Sequence, residues 1–488
     1  MTTTATTYCV KVNLPGGVVS AGDMFEILII AAKAGATDIS IGNRQQLYFD
    51  ISAGMLEGLE MDMMQAELSY EVDTDNFPNI ISSYVTDAIF NTESWLKEGV
   101  YKDIFDMFSH KPRLKINLVD CNQTFVLFFS GNMNFISSPV SNYWYFYIRF
   151  PKTNYIYCWP SLVYSADIPE ISKVAEEIIF ENKHLFYDQP EVNPQPFYEM
   201  VTANNSFSEQ AITETLKLPD FYLPYYEGFN QYINNKYWLG IYRRNELFSI
   251  SFLKDICELC ISTRVGQLYT TPWKSLIVKG ISDANRKDWG AVLNKYQINI
   301  RHAANELNWQ TENLYNESLV LKKDLVRIFE EHDLRTYRLC FAIKMQPKTG
   351  LSGSVIIRKQ AEGVFDVLHS RDFNPNYKDL VLFKSEVPRN ELAECLIALC
   401  GQYYHFLSHS GTTMPELEPE MEEAITLNAK TSLYQCKYCL NVYDEQYGEP
   451  DNGIVVQTAF EDIPHYTCPV CEAPKGDFLA VEKTNIFG

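Results

Sequence analysis

The chain has 488 residues, of which 46% are hydrophobic, and its formal net charge is −21. This composition excludes wholesale disorder and predicts about three domains, while the acidity excludes nonspecific nucleic-acid binding, which requires a positive surface. The longest apolar run, residues 24–32, is too short to cross a bilayer, and the first residues lack the basic end and apolar core of a signal peptide. We therefore predict a cytoplasmic protein without a nucleic-acid or membrane partner, whose 12 cysteines are thiols or metal ligands.

Two segments of the chain match each other at an offset of 229 residues, which indicates an internal repeat. Tyr8 aligns with Tyr237 and Ser20 with Ser249, and the apolar positions that follow them coincide. Each copy predicts a strand, a helix capped by the aligned serine, and then two paired strands. The first strands are predicted at 10–12 and 239–241, the helices span 21–34 and 250–263, and in the first copy Asp23 completes a capping box and Gly35 ends the helix.

A longer α/β segment follows each copy. In the first, strands are predicted at 115–119 and 124–129, and a helix opens at Pro169. In the second, a strand is predicted at 338–343 and a helix opens at Pro388. The body of the chain is therefore predicted as two similar halves, each a small unit followed by a larger α/β unit.

Two short motifs lie where the paired strands of each copy meet: Asn43-Arg44-Gln45-Gln46-Leu47 and Thr271-Pro272-Trp273-Lys274-Ser275-Leu276. With the doubled layout, they make residues 8–405 resemble the nitrite and sulfite reductase superfamily, in which ferredoxin-like half-domains alternate with haem-binding domains. The resemblance implies that Arg44 faces a sirohaem and substrate pocket. Arg113 and Lys115, in a Pro-Arg-Leu-Lys run, resemble the family's basic cluster and could bind tetrapyrrole carboxylates or an oxyanion. The alternative for all three is a surface salt bridge at a strand end.

The cysteines of the body argue against a bound sirohaem. That family holds an iron–sulfur cluster through Cys-x5-Cys and Cys-x3-Cys groups, and neither spacing occurs among the body cysteines. Cys257 and Cys260 form a Cys-x-x-Cys pair, but the repeat aligns them with Leu28 and Ala31 inside the helix of the first copy. We therefore predict that this pair packs in the core, as buried cysteines commonly do, and we do not expect sirohaem.

The last part of the chain is acidic and carries two Cys-x-x-Cys pairs. Residues 411–488 hold 14 Asp and Glu against four Lys and no Arg, which is about half of the net charge. The pair Cys436/Cys439 and the pair Cys468/Cys471 can complete a tetrahedral four-thiolate site. Four thiolates bind either zinc or iron, so the cysteines alone leave the metal open.

The residues around these pairs form a longer pattern. In order they are Tyr443-Asp444, Gly448, Pro450-Asp451, Gly453, Phe460, Pro464, Pro469 and Lys475 to Phe478. With this pattern, residues 431–488 resemble rubredoxin, which implies one iron ion held by the four cysteines and cycling between ferric and ferrous states. A structural zinc ribbon is the alternative. The family usually has glycine where this chain has Leu440 and Glu472, a departure that leaves the four ligands in place.

The sequence thus predicts an α+β fold: two repeats of a ferredoxin-like half-domain plus an α/β domain, followed by a small metal-bound rubredoxin-like domain. The predicted boundaries are 1–75 and 226–310 for the half-domains, 76–225 and 311–410 for the reductase-like α/β domains, 411–430 for an acidic linker and 431–488 for the iron domain. We expect an electron carrier rather than a catalytic oxidoreductase, with a redox protein, a reductase or an oxidase, as partner. A sirohaem-type oxidoreductase fed by the tail and a zinc-binding protein are the alternatives, and no catalytic residue is singled out.

Overall fold

The computed structural model describes residues 7–408, except 92–93, 204 and 348, and, further along, residues 433–438, 441–445, 449, 454–455, 458–469 and 473–481. The chain divides into two compact units, Met1–Gly411 and Thr412–Gly488, which are called the body and the tail below. No helix in the described residues is long and apolar enough to cross a membrane.

The described residues of the body form 22 strands and ten helices. Its strands are β1 (Thr7–Val12), β2 (Val18–Ser20), β3 (Asp38–Ile41), β4 (Leu47–Ser52), β5 (Tyr70–Val72), β6 (Ile81–Ser82), β7 (Ile116–Val119), β8 (Met133–Ser137), β9 (Tyr143–Arg149), β10 (Ile156–Cys158), β11 (Ser161–Tyr164), β12 (Glu209–Ala211), β13 (Gly228–Gln231), β14 (Lys236–Ile241), β15 (Leu247–Ser249), β16 (Gln267–Thr270), β17 (Leu276–Ser282), β18 (Trp309–Gln310), β19 (Phe341–Lys344), β20 (Val355–Ala361), β21 (Val364–Ser370) and β22 (Leu380–Pro388). Its helices are α1 (Ala21–Lys33), α2 (Leu56–Gln65), α3 (Glu98–Asp106), α4 (Ile168–Glu181), α5 (Lys183–Phe186), α6 (Gln195–Thr202), α7 (Ile250–Ser262), α8 (Arg286–Lys295), α9 (Asn316–Glu331) and α10 (Leu392–Ser408).

The internal repeat is confirmed element by element. Strands β1, β2 and β3 and helix α1 begin and end 229 residues before β14, β15, β16 and α7. Ser20 Oγ accepts a hydrogen bond from the Asp23 amide (3.0 Å), and Ser249 Oγ accepts one from the Phe252 amide (3.4 Å). The aligned serines therefore cap both helices, because each satisfies an amide that has no partner within its helix. Gly35 follows α1 with a left-handed φ of 87°, as predicted.

The two copies exchange one three-residue strand each. β2 of the first copy pairs with β16 of the second, and β15 of the second pairs with β3 of the first. The resulting antiparallel sheets have the orders β15-β3-β4-β1-β5 and β13-β14-β17-β16-β2. Helices α1 and α7 pack together, and one apolar core includes Ile27 and Ile256 from the two copies. The two half-domain segments thus complete each other's sheets and share one core.

Each α/β segment is built on a mixed sheet with the same strand pattern. The orders are β12-β11-β9-β8-β7-β6, with β10 added on β9, and β18-β19-β20-β21-β22. In both sheets the first three strands in sequence are parallel, and the following ones are antiparallel. Helix α3 or α9 makes the crossover that the first parallel pair requires. The body therefore has the predicted α+β architecture of two similar halves.

The strand predicted at residues 124–129 is wrong. These residues form a buried turn segment, and the strand that pairs with β7 is β8. Side chains satisfy the main chain of this segment: Gln123 Oε1 accepts from the Val126 amide (2.7 Å), and Asn376 Oδ1 accepts from the Phe128 amide (2.8 Å). The apolar residues that resembled a strand are apolar because the turn lies in the core.

The helix predicted to open at Pro388 is also wrong. Val387 and Pro388 end the edge strand β22, where the missing proline amide costs no ladder hydrogen bond. The helix that follows, α10, begins at Leu392. The strand predicted from residue 338 begins later, at Phe341, because Arg338 takes a left-handed φ of 65° that interrupts extended backbone.

The tail is built around a small antiparallel sheet and a cluster of aromatic rings. Its strands, β23 (Leu433–Cys436), β24 (Val442–Asp444) and β25 (Phe478–Val481), pair in the order β24-β23-β25. Cys436 and Cys468 belong to the same buried cluster as the aromatic rings.

Candidate metal centre and basic cavity

Cys436 and Cys468, the first cysteines of the two pairs, are buried in the tail. Each begins a loop that closes in the same way. The Cys436 amide donates to the Asn441 carbonyl and the Cys468 amide to the Ala473 carbonyl, both at 2.8 Å. Equal closure of the two loops is what a four-thiolate site requires, because each Cys-x-x-Cys loop must present its sulfurs in the same manner.

The second cysteines, Cys439 and Cys471, lie outside the described residues, as do Leu440 and Glu472. The donor set is nevertheless defined by its chemistry. Four cysteine sulfurs select iron or zinc over the metals that prefer oxygen ligands. The residues of the tail therefore fit the iron that the rubredoxin resemblance implies.

Aromatic rings hold these loops in place. The Phe460 ring lies at the centre, with its centroid 4.3 Å from that of Tyr434, 5.3 Å from Tyr443, 5.1 Å from Tyr466 and 5.4 Å from Phe478. The Tyr466 hydroxyl donates to Glu449 (2.5 Å). Close packing of this kind fixes side-chain rotamers, and it includes Cys436 and Cys468.

Arg44 is buried, with 8% of its surface exposed, and its guanidinium group binds the main chain. Nε and Nη2 donate to the Asn79 carbonyl (3.0 and 2.7 Å), Nη2 also donates to the Ile116 carbonyl (2.8 Å), and Nη1 donates to Asn117 Oδ1 (3.3 Å). No described carboxylate forms an ion pair with it. The surface salt bridge considered as the alternative is therefore wrong for Arg44, which instead ties the first copy of the repeat to β7.

Arg113 and Lys115 are close together but lie in different surroundings. Arg113 is exposed, and its guanidinium carbon lies 3.9 Å from the ring centroid of Phe180. Lys115 is half-buried, and burial lowers the pKa of its ammonium group to about 8, helped by the charges of Arg44 and Arg149. Neither residue forms an ion pair within the described part of the chain. The alternative of a surface salt bridge is therefore not observed for Arg113 or Lys115.

Arg113 and Lys115 line a cavity of about 580 Å³ between the two α/β sheets, called the basic cavity below. Its other cations are Arg149, Lys152, Lys344 and Arg358, and its one carboxylate among the described lining residues is Asp75. Such an excess of positive charge, in a chain of net charge −21, attracts anions.

Arg149, Lys344 and Arg358 were not among the residues predicted from the sequence. Each lies in or at the end of a strand with several apolar residues: β9, β19 or β20. A basic residue in an otherwise apolar strand could have identified them from the sequence, because charged side chains next to a core usually have a partner or a function.

The basic cavity suits carboxylates but not an iron–sulfur cluster. No cysteine or histidine is among the described residues that line it or the smaller cavity of about 160 Å³ beside Arg44. Cys257 and Cys260 are fully buried on α7, as predicted for packing residues, and burial raises the pKa of the Cys257 thiol to about 12. The residues present fit the carboxylate arms of a tetrapyrrole and do not fit a cluster.

Comparisons with known proteins identify the tail. The rubredoxin family profile matches residues 433–478. Rubredoxin 4 of Rhodococcus sp. (strain Q15) is 49% identical over 51 residues, which are 10% of this chain and 85% of that protein. The chain belongs to the rubredoxin family. The rubredoxin of Acinetobacter baylyi is 48% identical over 50 residues, 10% of this chain and 93% of that protein.

A longer relative is matched over a smaller share of its length. The high molecular weight rubredoxin of Moorella thermoacetica is 39% identical over 79 residues, 16% of this chain and 34% of that protein. This chain thus spans about a third of that relative. The rubredoxin domain of the present chain is an iron-binding, electron-transport domain, as predicted.

The body is similar in fold to a protein of another family. The structure of the Mycobacterium tuberculosis NirA protein superposes with a TM-score of 0.63 over 83% of this chain and 82% of that chain, at 14% identity. The rubredoxin domain is therefore fused to a body with the fold of the NirA protein, which agrees with the fold predicted from the sequence. At this identity the likeness shows the fold alone.

Proposed function

We propose that this protein is a one-electron carrier in which Cys436, Cys439, Cys468 and Cys471 hold one iron ion. The match of the tail to rubredoxins over 85% and 93% of their length carries the proposal. The iron supplies a ferric/ferrous couple when bound. Cys436 and Cys468 each begin a similarly closed loop and pack within the aromatic core, which favours little movement of these two ligands when an electron arrives.

We further propose that the electron partner is a redox protein, a reductase or an oxidase, with a positive docking surface. Residues 411–488 carry 14 acids and four bases, so the tail presents an excess of negative charge. Complementary charge speeds encounter and sets orientation, and salt screens both effects. Electron transfer to such a partner should therefore slow as ionic strength rises.

Iron content and the visible spectrum of the full-length protein test the iron site. We expect one iron per chain, ferric absorption bands that dithionite bleaches, and loss of both in Cys436→Ser. Cys158→Ser, which removes an exposed thiol of the body, is the matched control and should keep the spectrum. A colourless protein that holds zinc and does not respond to reductant would contradict the proposal and favour the zinc-binding alternative.

One observation favours a second function, a tetrapyrrole-dependent oxidoreductase fed by the rubredoxin domain. It is the basic cavity, where Arg113 and Lys115, with Arg44 beside it, would bind the carboxylates or an oxyanion. A porphyrin-type absorption band in protein purified from cells that make sirohaem would support this function. Lys115→Glu should abolish that band, and a band unchanged by this variant would count against the site.

A further inference from the structure

A smaller cavity of about 40 Å³ adjoins the basic cavity and shares Arg149 and Lys344 with it. Arg149 is the last residue of β9, and Lys344 is the last residue of β19. Lys378, in the segment between β21 and β22, is the third cation of its lining. The three cations come from both α/β sheets, so this cavity lies where the two halves of the body meet.

Little negative charge offsets the three cations: Glu312, outside the cavity lining, interacts with Lys344 but is not within ion-pair distance of any of the three. None forms an ion pair with a carboxylate of the described residues, and no Asp or Glu is among the described residues that line the cavity. Burial and the charge of Arg149 lower the pKa of Lys344 to about 8. Burial, Arg149 and Lys344 together lower the pKa of Lys378 well below its usual value. Cations held together in this way repel each other, and an anion bound among them would stabilise their charged forms.

The same cavity contains hydrogen-bond groups without a partner. Arg149 Nε and Thr349 Oγ1 are both buried and make no hydrogen bond. Lys378 Nζ donates to Ser352 Oγ at 2.5 Å, which holds its ammonium group at the wall of the cavity. Buried donors are normally satisfied, and an oxygen-bearing anion supplies the acceptors that Arg149 and Thr349 lack.

We propose that this cavity, the inner anion site, binds one small oxyanion such as nitrate, formate or bicarbonate. At about 40 Å³ the cavity has room for one small ion and not for a larger organic anion. The anion oxygens accept from Arg149 Nε and Thr349 Oγ1 and neutralise the ammonium groups of Lys344 and Lys378. Its binding joins the two halves of the body and does not depend on the proposed iron site.

Thermal unfolding of the full-length protein in sodium nitrate tests the inner anion site. Sodium gluconate keeps the ionic strength constant, and its anion is too large for the cavity. We expect Tm to rise with nitrate and to reach saturation. In Lys378→Met the Tm without nitrate should be higher than in the wild type, because repulsion is relieved, and the apparent nitrate affinity should fall about tenfold or more.

Lys384→Met is the matched control, because Lys384 lies on β22 outside the cavity with 55% of its side chain exposed. It should respond to nitrate as the wild type does. Lys344→Gln provides a second variant in case Lys378→Met does not fold, and it should lose the response in the same way.

Either of two results would overturn the site: no saturable nitrate effect in the wild type, or a wild-type response in Lys378→Met. A lowered Tm with an intact response would assign Lys378 a purely structural role. The visible spectrum of the tail should be unchanged in Lys378→Met. A failure of the anion site is therefore distinguishable from a failure of the proposed electron transfer.

Discussion

Arg44 and Trp273 occupy equivalent positions in the two copies of the repeat, and both bind main-chain carbonyls of the first α/β segment. Arg44 Nη2 donates to the Ile116 carbonyl (2.8 Å), and Trp273 Nε1 donates to the Phe125 carbonyl (2.7 Å). The residue that follows each has a left-handed φ, 65° at Gln45 and 54° at Lys274. The copies thus share a backbone conformation at this position. A guanidinium group binds the first α/β segment from one copy, and an indole ring binds it from the other.

Arg44→Ala should destabilise the body. The substitution leaves the buried carbonyls of Asn79 and Ile116 without their donor, at a cost of about 2–4 kcal/mol in the free energy of unfolding. The free energy of unfolding of Arg44→Lys should lie between those of the wild type and Arg44→Ala, because one ammonium group cannot reach every acceptor. Urea unfolding measures the change, with the exposed Arg327 on α9 mutated to Ala as the control. A loss no larger than that of the control would contradict the anchoring role.

Gly353→Ala should lower Tm because there is no space for a Cβ atom. That atom would lie 2.8 Å from the Val355 carbonyl oxygen and 3.0 Å from main-chain atoms of Ala342 and Cys340, none of which can move freely. We expect a loss of about 1–3 kcal/mol. Gly266→Ala, at a position with nothing within 4 Å, is the control and should be close to neutral. Equal Tm values for the two variants would show that the loop near the inner anion site can relax.

Phe460→Ala should weaken the tail and its hold on iron. The ring contacts four other aromatic rings, and its removal from a core costs about 3–5 kcal/mol, a large part of the stability of so small a unit. Iron should be lost faster to a chelator, which the decay of the visible bands measures. Val455→Ala, with 71% of the native side chain exposed, should lose iron at the wild-type rate.

The effect of nitrate should depend on pH. Lys344, which interacts with Arg149, Arg358, Lys378 and Glu312, has its pKa lowered from 10.5 to about 8 in the folded protein. Without an anion, the unfolded chain therefore binds more protons between these two pH values, and the contribution of Lys344 makes the folded state more stable as pH rises through that window. Nitrate needs the charged lysine, so its effect on Tm should shrink between pH 7 and pH 9.

Thermal unfolding in nitrate across this pH range checks that sign. In Lys344→Gln the nitrate effect should be small at every pH, because the titrating group is absent. A nitrate effect in the wild type that is the same at pH 7 and pH 9 would mean that Lys344 does not contact the anion.

The features that the sequence predicts are those encoded locally. Ser20 and Ser249 cap α1 and α7 because each satisfies an amide three residues further on. The spacing within each cysteine pair likewise defines one loop, which is why the sequence alone predicts four metal ligands. Residues 124–129 were misassigned because an apolar run in a buried turn looks the same as one in a strand.

Other features depend on contacts between distant parts of the chain. Strands β2 and β15 have three residues each, and nothing in so short a segment indicates that its partner lies in the other copy. Arg149 and Lys344 come from different sheets, so neither residue carries a local sign that it will face the other across a cavity. The inner anion site is therefore a property of the assembled body.

The exchange of β2 and β15 also sets the order of events during synthesis. β3 lacks its outer neighbour until Ser249 has left the ribosome, roughly 200 residues later. At an elongation rate of about 5–20 residues per second, this interval lasts about 10–40 s. Throughout it the nascent chain presents an open strand edge that can pair with another chain. Ribosome speed and chaperone supply should thus govern the yield of folded protein more strongly than they would for a chain whose first sheet is complete in its own half.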